Sequence, residues 1–320
     1  MPFTFSHAAL AAPLRKLAPG LNVTGLILGS MAPDMEYFVA LQAVGTIGHS
    51  TAGFALIGVP LSAAFALAFH LVIKPALPSL LPAIGGIDRF AAAEAARYPR
   101  RRRSFPRQIV GFLVSLYVGF LTHLFFDGWT HRTGWFVSRI PYLSFKAAGG
   151  EPVYHLLQYG LSLLGAAIAF FYFTYRWSEW RRRSVRRTDA AAAAPAAPAV
   201  FPLVGAASAA LLLWRKLETS IDPLAVNIWF VTPFSATLFG LFVAAALLTG
   251  RRRGKLAQTA AGLVMLLFVM AGYQLAQEAA ADRLLLHPRL DLALWIAYLW
   301  GFSGAIAAVS LLASGTAARR

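Results

Sequence analysis

Seven stretches of the chain stay apolar over long runs with almost no charge. They are 50–74, 108–127, 153–176, 199–215, 226–249, 256–276 and 291–313. A helix needs about 20 such residues to cross roughly 30 Å of hydrocarbon. The pattern therefore predicts an all-α, polytopic membrane bundle of about seven spans. The fourth span is the weakest, because Trp214-Arg215-Lys216 interrupts it early. Residues 1–49 read differently. Ser6 is placed to cap a helix beginning near His7, Pro19-Gly20 breaks it, and the apolar run Leu21 to Met31 is too short to cross. Short helices packed on the bundle, or partly re-entrant, are expected there. The expected organisation is a half formed by 1–165, with 166–320 completing the bundle rather than forming an independent domain. The Ala/Pro-rich stretch from Ala190 to Ala199 reads as a loosely ordered loop.

Charge turns this pattern into a topology. Only 13% of the 320 residues are charged, against about 25% in a soluble domain. The net charge of +16 sits in short clusters beside apolar runs, as the positive-inside rule predicts, which argues against a nucleic-acid partner. The loops after spans one, three, five and seven collect 20 basic residues against Asp88, Glu94, Glu179 and Asp189, and the other side keeps nine of each sign. The basic loops and the C-terminus are thus expected in the cytoplasm. Residues 1–49 and the loop after span two fall on the opposite side. Met1 to His7 lacks the basic and apolar regions of a secretory signal.

The outer side then gathers the candidate chemistry. His123-x3-Asp127-x3-His131 repeats at helical spacing, so its side chains form one stripe about 80° wide and roughly 12 Å tall. Such a stripe suits two neighbouring ions bridged by Asp127, with one histidine for each. His7, Asp34, Glu36, His49, Glu151 and His155 map to the same side. The chain has no cysteine, so a metal must be held by His, Asp, Glu or backbone oxygen. Ionisable groups at the ends of membrane helices are usually paired or ligating.

Each signal also has a plainer explanation. A lone histidine in a membrane helix is more often hydrogen-bonded than ligating. Asp127 could simply orient both of its neighbours in a hydrogen-bond network. Glu151 stands at a helix start, where acidic residues are common. Trp129 and Trp135 read as interfacial belt residues. His70 reads as structural, and His287 has no evident partner in the sequence.

The segments Met-Pro-Phe-Thr-Phe-Ser-His at 1–7, Gly29-Ser30-Met31-Ala32-Pro33-Asp34, Gly48-His49-Ser50 and Thr122-His123-x3-Asp127, with Leu156-Leu157-Gln158-Tyr159-Gly160, resemble bacterial membrane proteins grouped as domain of unknown function family 4184. The order of His, Pro-Asp, His and His-x3-Asp is also similar to membrane-bound metal-dependent hydrolases. More distantly, it is similar to the zinc-dependent phospholipase C and single-strand nuclease superfamily. By position, the resemblance implies that His7, Asp34, His49, His123, Asp127 and His131 ligate metal, with Asp34 as a water activator. It departs at the end of the pattern, where His155 is followed by Tyr159 and the glutamate, Glu151, precedes it. The N-terminal tryptophan ligand of the secreted phospholipases is also missing. A two-ion site is therefore the expectation, with Glu151 and His155 its least secure members.

The leading functional expectation is a multi-pass hydrolase of the bacterial inner membrane. It would use a divalent metal, zinc first, to cleave a phosphoester, with membrane phospholipid or a lipid-linked compound as substrate. Asp34 and Asp127 are its candidate catalytic carboxylates. The alternative is a non-enzymatic membrane module, for transport or assembly, or a degenerate hydrolase with a structural metal only. Glu218, Asp222, Glu278, Asp282 and Asp291 fall in outer loops rather than mid-span, which argues against a translocation path.

Overall fold

The structure, a computed structural model, describes residues 4–43, 45–97, 105–147, 149–186, 195–220, 222, 224–281, 283 and 287–315. The Arg100–Arg103 cluster, Arg187, Asp189, Asp282, Arg319, Arg320 and 190–194 of the expected loop lie outside them. The described residues are helical, with no strand beyond one isolated bridge between Lys146 and Pro152. Seven helices are long and apolar enough to cross a membrane: Thr51–Leu80, Pro106–Thr130, Val153–Ser184, Val200–Thr219, Ile228–Arg252, Leu256–Ala279 and Pro288–Ser314. The chain is an all-α, multi-pass membrane protein.

The chain divides into two compact units. One comprises Met1–Asp34, Ile47–Phe54 and Arg101–Arg183, and the other comprises Met35–Thr46, Ala55–Arg100 and Ser184–Arg320. The first unit begins with three short helices, α1 (Thr4–Ala11), α2 (Leu14–Leu17) and α3 (Val23–Met31), followed by a 3-10 turn at Ala32–Asp34. In the second unit Met35–Ala40 forms α4. The first span, Thr51–Leu80, is α5, and Ile87–Arg97 is α6. Then come α7 (Phe105–Thr130) and α8 (Val153–Arg186) of the first unit, and α9 (Val200–Thr219), α10 (Val226–Arg252), α11 (Leu256–Ala279) and α12 (Pro288–Ser314) of the second.

One local expectation is corrected. Ser6 does not cap a helix near His7. Helix α1 already runs from Thr4, and the Ser6 hydroxyl donates to the Ser162 carbonyl of α8 at 2.9 Å. A partner on another helix has taken the group that would otherwise cap. The caps that do form are Asn22, whose side chain accepts from Gly25 N at 3.1 Å at the start of α3, and Ser50, which accepts from Gly53 N at 3.0 Å at the start of α5. Both follow from short polar side chains placed before apolar runs.

Helix α3 packs chiefly on α7. Gly29 and Gly119 are the reason their backbones can meet. A Cβ on Gly29 would press into the Leu116 carbonyl, and one on Gly119 into the Leu26 carbonyl. Small residues at such crossings are how membrane helices gain van der Waals contact. The approach is pinned by Asn22 N donating to Ser115 Oγ at 2.7 Å.

The second unit shows how membrane helices satisfy groups that proline releases. Pro60 inside α5 has no N–H for the Leu56 carbonyl, and the Trp300 indole of α12 donates to that carbonyl at 2.9 Å. A π-helical turn at Phe54–Gly58 accompanies the same site. Gly205 and Gly240 repeat the backbone contact between α9 and α10. Glu36 is fully buried and accepts from Thr46 N at 2.9 Å, Thr46 Oγ1 at 2.7 Å and Trp295 Nε1 at 3.1 Å. Those bonds, with Thr232 Oγ1 donating to the carbonyl of Leu41 at 2.7 Å, hold a turn in which Leu41 has a φ of 56°. A left-handed leucine costs about 1–2 kcal/mol, which these bonds offset.

The α3–α7 contact is testable. Gly29→Ala overpacks it and should destabilise the protein by about 1–3 kcal/mol. Gly111→Ala on α7 faces open space and should be neutral or stabilising. Thermal unfolding in detergent compares the two, and equal midpoints would refute the account.

Candidate metal centre

The site is built in the first unit from three parts of the chain. Helix α7 supplies His123 and Asp127 one turn apart, with His131 just past its end. Because α3 lies against α7, the Ser30 carbonyl reaches His123 Nδ1 at 2.7 Å. The 3-10 turn that follows brings Asp34 over the same ring. Helix α1 places His7 on His123, their rings stacked at 4.0 Å and 21°. The loop before α5 delivers His49, edge-on to His123 at 5.2 Å.

The carbonyl of Ser30 can only accept, so His123 Nδ1 carries a proton and Nε2 is the ring atom that faces inward. That atom faces Asp127 Oδ2 at 3.1 Å and Asp34 Oδ1 at 3.9 Å. His49 Nε2 lies 3.2 Å from Asp127 Oδ2 and 3.5 Å from Asp34 Oδ1. The second oxygen of Asp127 has His7 Nε2 and His131 Nδ1 each at 3.5 Å. Thr4 Oγ1 donates to Asp34 Oδ2 at 2.8 Å, which turns Oδ1 toward the histidines. Asp127 thus lies between four imidazoles, two per oxygen.

Two groups of three bring ligand atoms within 4.8 Å of one another, His7–His123–Asp127 and Asp34–His49–His123. The donor set also passes a spacing test. Atoms bound at about 2.0–2.2 Å around a four-coordinate ion lie about 3.3 Å apart. The four His–Asp separations among Asp34 Oδ1, His49 Nε2, His123 Nε2 and Asp127 Oδ2 run from 3.1 to 3.9 Å. Several of the atoms are orphans: both nitrogens of His7, Asp34 Oδ1 and Asp127 Oδ1 are buried without a hydrogen-bond partner. Leaving such a group unsatisfied costs about 1–3 kcal/mol. A cation among them would satisfy them together.

Among the described residues, the ion pairs of Asp34 and Asp127 are with histidines. Burial, then the neighbouring His123, lowers the His7 pKa to about 3, so its ring is neutral and able to ligate. Burial raises the Asp34 pKa, and burial lowers that of His131. The cluster is not sealed. His7, Asp34 and His123 are buried, whereas the His49 and His131 side chains are 38% and 32% exposed.

His7, Asp34, His49, His123 and Asp127 therefore converge, and His131 stands at their rim. There its Nδ1 also lies 3.2 Å from Thr130 Oγ1 and 3.3 Å from the Asp127 carbonyl. Glu151 and His155 are not brought in. They pair with each other at 2.8 Å, both exposed, and join neither group of three. One turn of α8 lets them satisfy one another locally. The reading from sequence did not include Thr4 or the Ser30 carbonyl. Thr4 left a faint signal as a polar residue three positions before His7, and a backbone carbonyl leaves none.

Comparison with known proteins finds a family and no activity. The family model described as "Domain of unknown function (DUF4184)" matches residues 1–314. No curated protein and no solved structure matches the chain. A family match over nearly the whole length is decisive for membership, and the chain belongs to the DUF4184 family.

Proposed function

We propose that the cluster holds a divalent metal, with zinc the first expectation, and that the protein is a metal-dependent hydrolase of phosphoesters. The observation that carries this reading is the donor set itself. Two carboxylates and the imidazoles of His49 and His123 stand at ligand–ligand spacing, with orphaned buried atoms aimed at one another. A set of His and Asp without cysteine suits hydrolytic ions. A divalent ion supplies Lewis-acid polarisation of a phosphoryl oxygen and lowers the pKa of a nearby water. The chain's own residues do the rest. Ser30 fixes the His123 tautomer, Thr4 orients Asp34, and Asp127 spaces the histidines on either side. Asp34, whose pKa is raised by burial, is the candidate activator of the attacking water.

A lipid or lipid-linked phosphoester is the proposed substrate, reached from the outer leaflet of the bacterial inner membrane. Supporting this, the site lies at one end of a spanning helix, α7, and the charge count favours the outer side for that end. Its exposed members are His49 and His131. The following loop exposes Trp135, Tyr142 and Phe145, with Arg139 over the Trp135 ring at 4.2 Å, the chemistry of a headgroup boundary. A second reading, a structural metal in a non-enzymatic protein, draws on the burial of His7, Asp34 and His123.

Three outcomes are expected. Purified protein should carry at least one zinc per chain by elemental analysis, and Asp127→Asn should carry less than half of that. The same substitution should cut hydrolysis of a chromogenic phosphodiester or of phospholipid micelles by at least about 100-fold. Full metal content with no hydrolysis of either would favour the structural reading. Metal affinity should also rise with pH. The raised folded pKa of Asp34 means that it keeps its proton to higher pH than an ordinary carboxyl, and where present that proton must leave before the ion binds, whereas His7, with its pKa near 3, has none to lose near neutrality. Zinc titrations at several pH values test this, and a flat profile refutes it.

A further inference from the structure

Helix α1 is docked in an unusual way. Its eight residues are too few to be a stable helix alone. Of its four buried residues, three are polar, Thr4, Ser6 and His7, and the fourth is Ala11. Phe5 and Leu10, its large apolar side chains, are only partly buried. Polar side chains thus take most of its fully buried positions. Two of the polar residues have anchors. Thr4 donates to Asp34, and Ser6 donates to Ser162 O beside Gly165, where any Cβ would collide with Ser6. The third, His7, is 2% exposed with both ring nitrogens lacking a hydrogen-bond partner, and its Nε2 stops 3.5 Å short of Asp127 Oδ1.

We propose that α1 is a metal-dependent clasp: ligation of His7 completes its docking on α3, α7 and α8, so that metal loading and ordering of the N-terminal segment are one event. This rests on the metal-binding reading above and adds its regulation. With the ion absent, the docked helix buries an imidazole whose two nitrogens make no hydrogen bond, and release of the helix rehydrates it. With the ion present, the same imidazole becomes the third anchor. Release of α1 also frees Thr4 from Asp34, which lets that carboxyl turn. The clasp and the ion therefore favour one another, and each must raise the other's occupancy by the same factor.

Hydrogen–deuterium exchange of the full chain in detergent, chelated and zinc-loaded, reads this directly. If the ion binds only the docked form, the ratio of docked to released α1 rises about 100-fold at free metal one hundred times Kd. Exchange over 4–11 should slow by on the order of tenfold or more. In His7→Ala that change should vanish, while protection in the core of α7 shows that the variant is folded. Ser6→Ala touches no ligand, yet by reciprocity it should weaken zinc affinity at least about fivefold. Should the wild type bind zinc at full stoichiometry while exchange over 4–11 moves less than roughly twofold, the clasp is overturned and the metal centre stands. Should the wild type bind no zinc, both are overturned.

Discussion

The contact on which the site depends is the close approach of α3 to α7. Two glycines, Gly29 and Gly119, let the backbones touch. That contact does more than pack helices. It sets the Ser30 carbonyl on His123 Nδ1 at 2.7 Å, which fixes which nitrogen faces inward. It also sets where the 3-10 turn begins, and so where Asp34 comes to lie. A side chain of even one carbon at either glycine would push apart the helices that hold the two carboxylates together. The geometry of the polar cluster is thus an outcome of apolar packing.

Charge is the second constraint. Asp34 and Asp127 are both buried, and among the described residues their ion pairs are with histidines. Two ionised carboxylates so close together and so poorly hydrated are costly. Burial answers part of this by raising the Asp34 pKa and by leaving His7 neutral. The neutral His7 then contributes nothing to the charge balance and only a lone pair to the site. In the proposed reading, a divalent cation resolves the whole arrangement, because its two positive charges match the two carboxylates.

Much of this was legible in the chain, for reasons that differ by residue. The spans follow from hydropathy alone, and all seven expected runs are helices of spanning length. The structure extends several of them. Helix α8 continues to Arg186, beyond the expected 176, because Glu179 and Arg183 pair at 2.6 Å on its exposed face and polar helix needs no hydrocarbon. The His123–Asp127–His131 stripe followed from helical periodicity, and His7, Asp34 and His49 from the resemblance. Glu151 and His155 share the same periodicity, yet they lie apart, since i, i+4 spacing shows that two residues share a face and not what that face meets. The Ser6 cap failed for the same reason. A short-range rule holds only until a partner from another helix, here Ser162, competes for the group.

The number of ions is constrained by His123. Both groups of three include it, but Ser30 occupies its Nδ1, so only Nε2 remains to ligate. One nitrogen serves one ion, and the two groups cannot both be filled as they stand. In the proposed reading, the first ion takes Nε2 of His123 with His49, Asp34 and Oδ2 of Asp127. What remains for a second is Oδ1 of Asp127 with His7 and His131, both at 3.5 Å from it. The two carboxylates neutralise one divalent ion, so a second would bring two uncompensated positive charges into a largely buried site. It would therefore bind best together with an anion. A phosphoester supplies that charge, so substrate would tighten a second position that excess zinc also fills through His7.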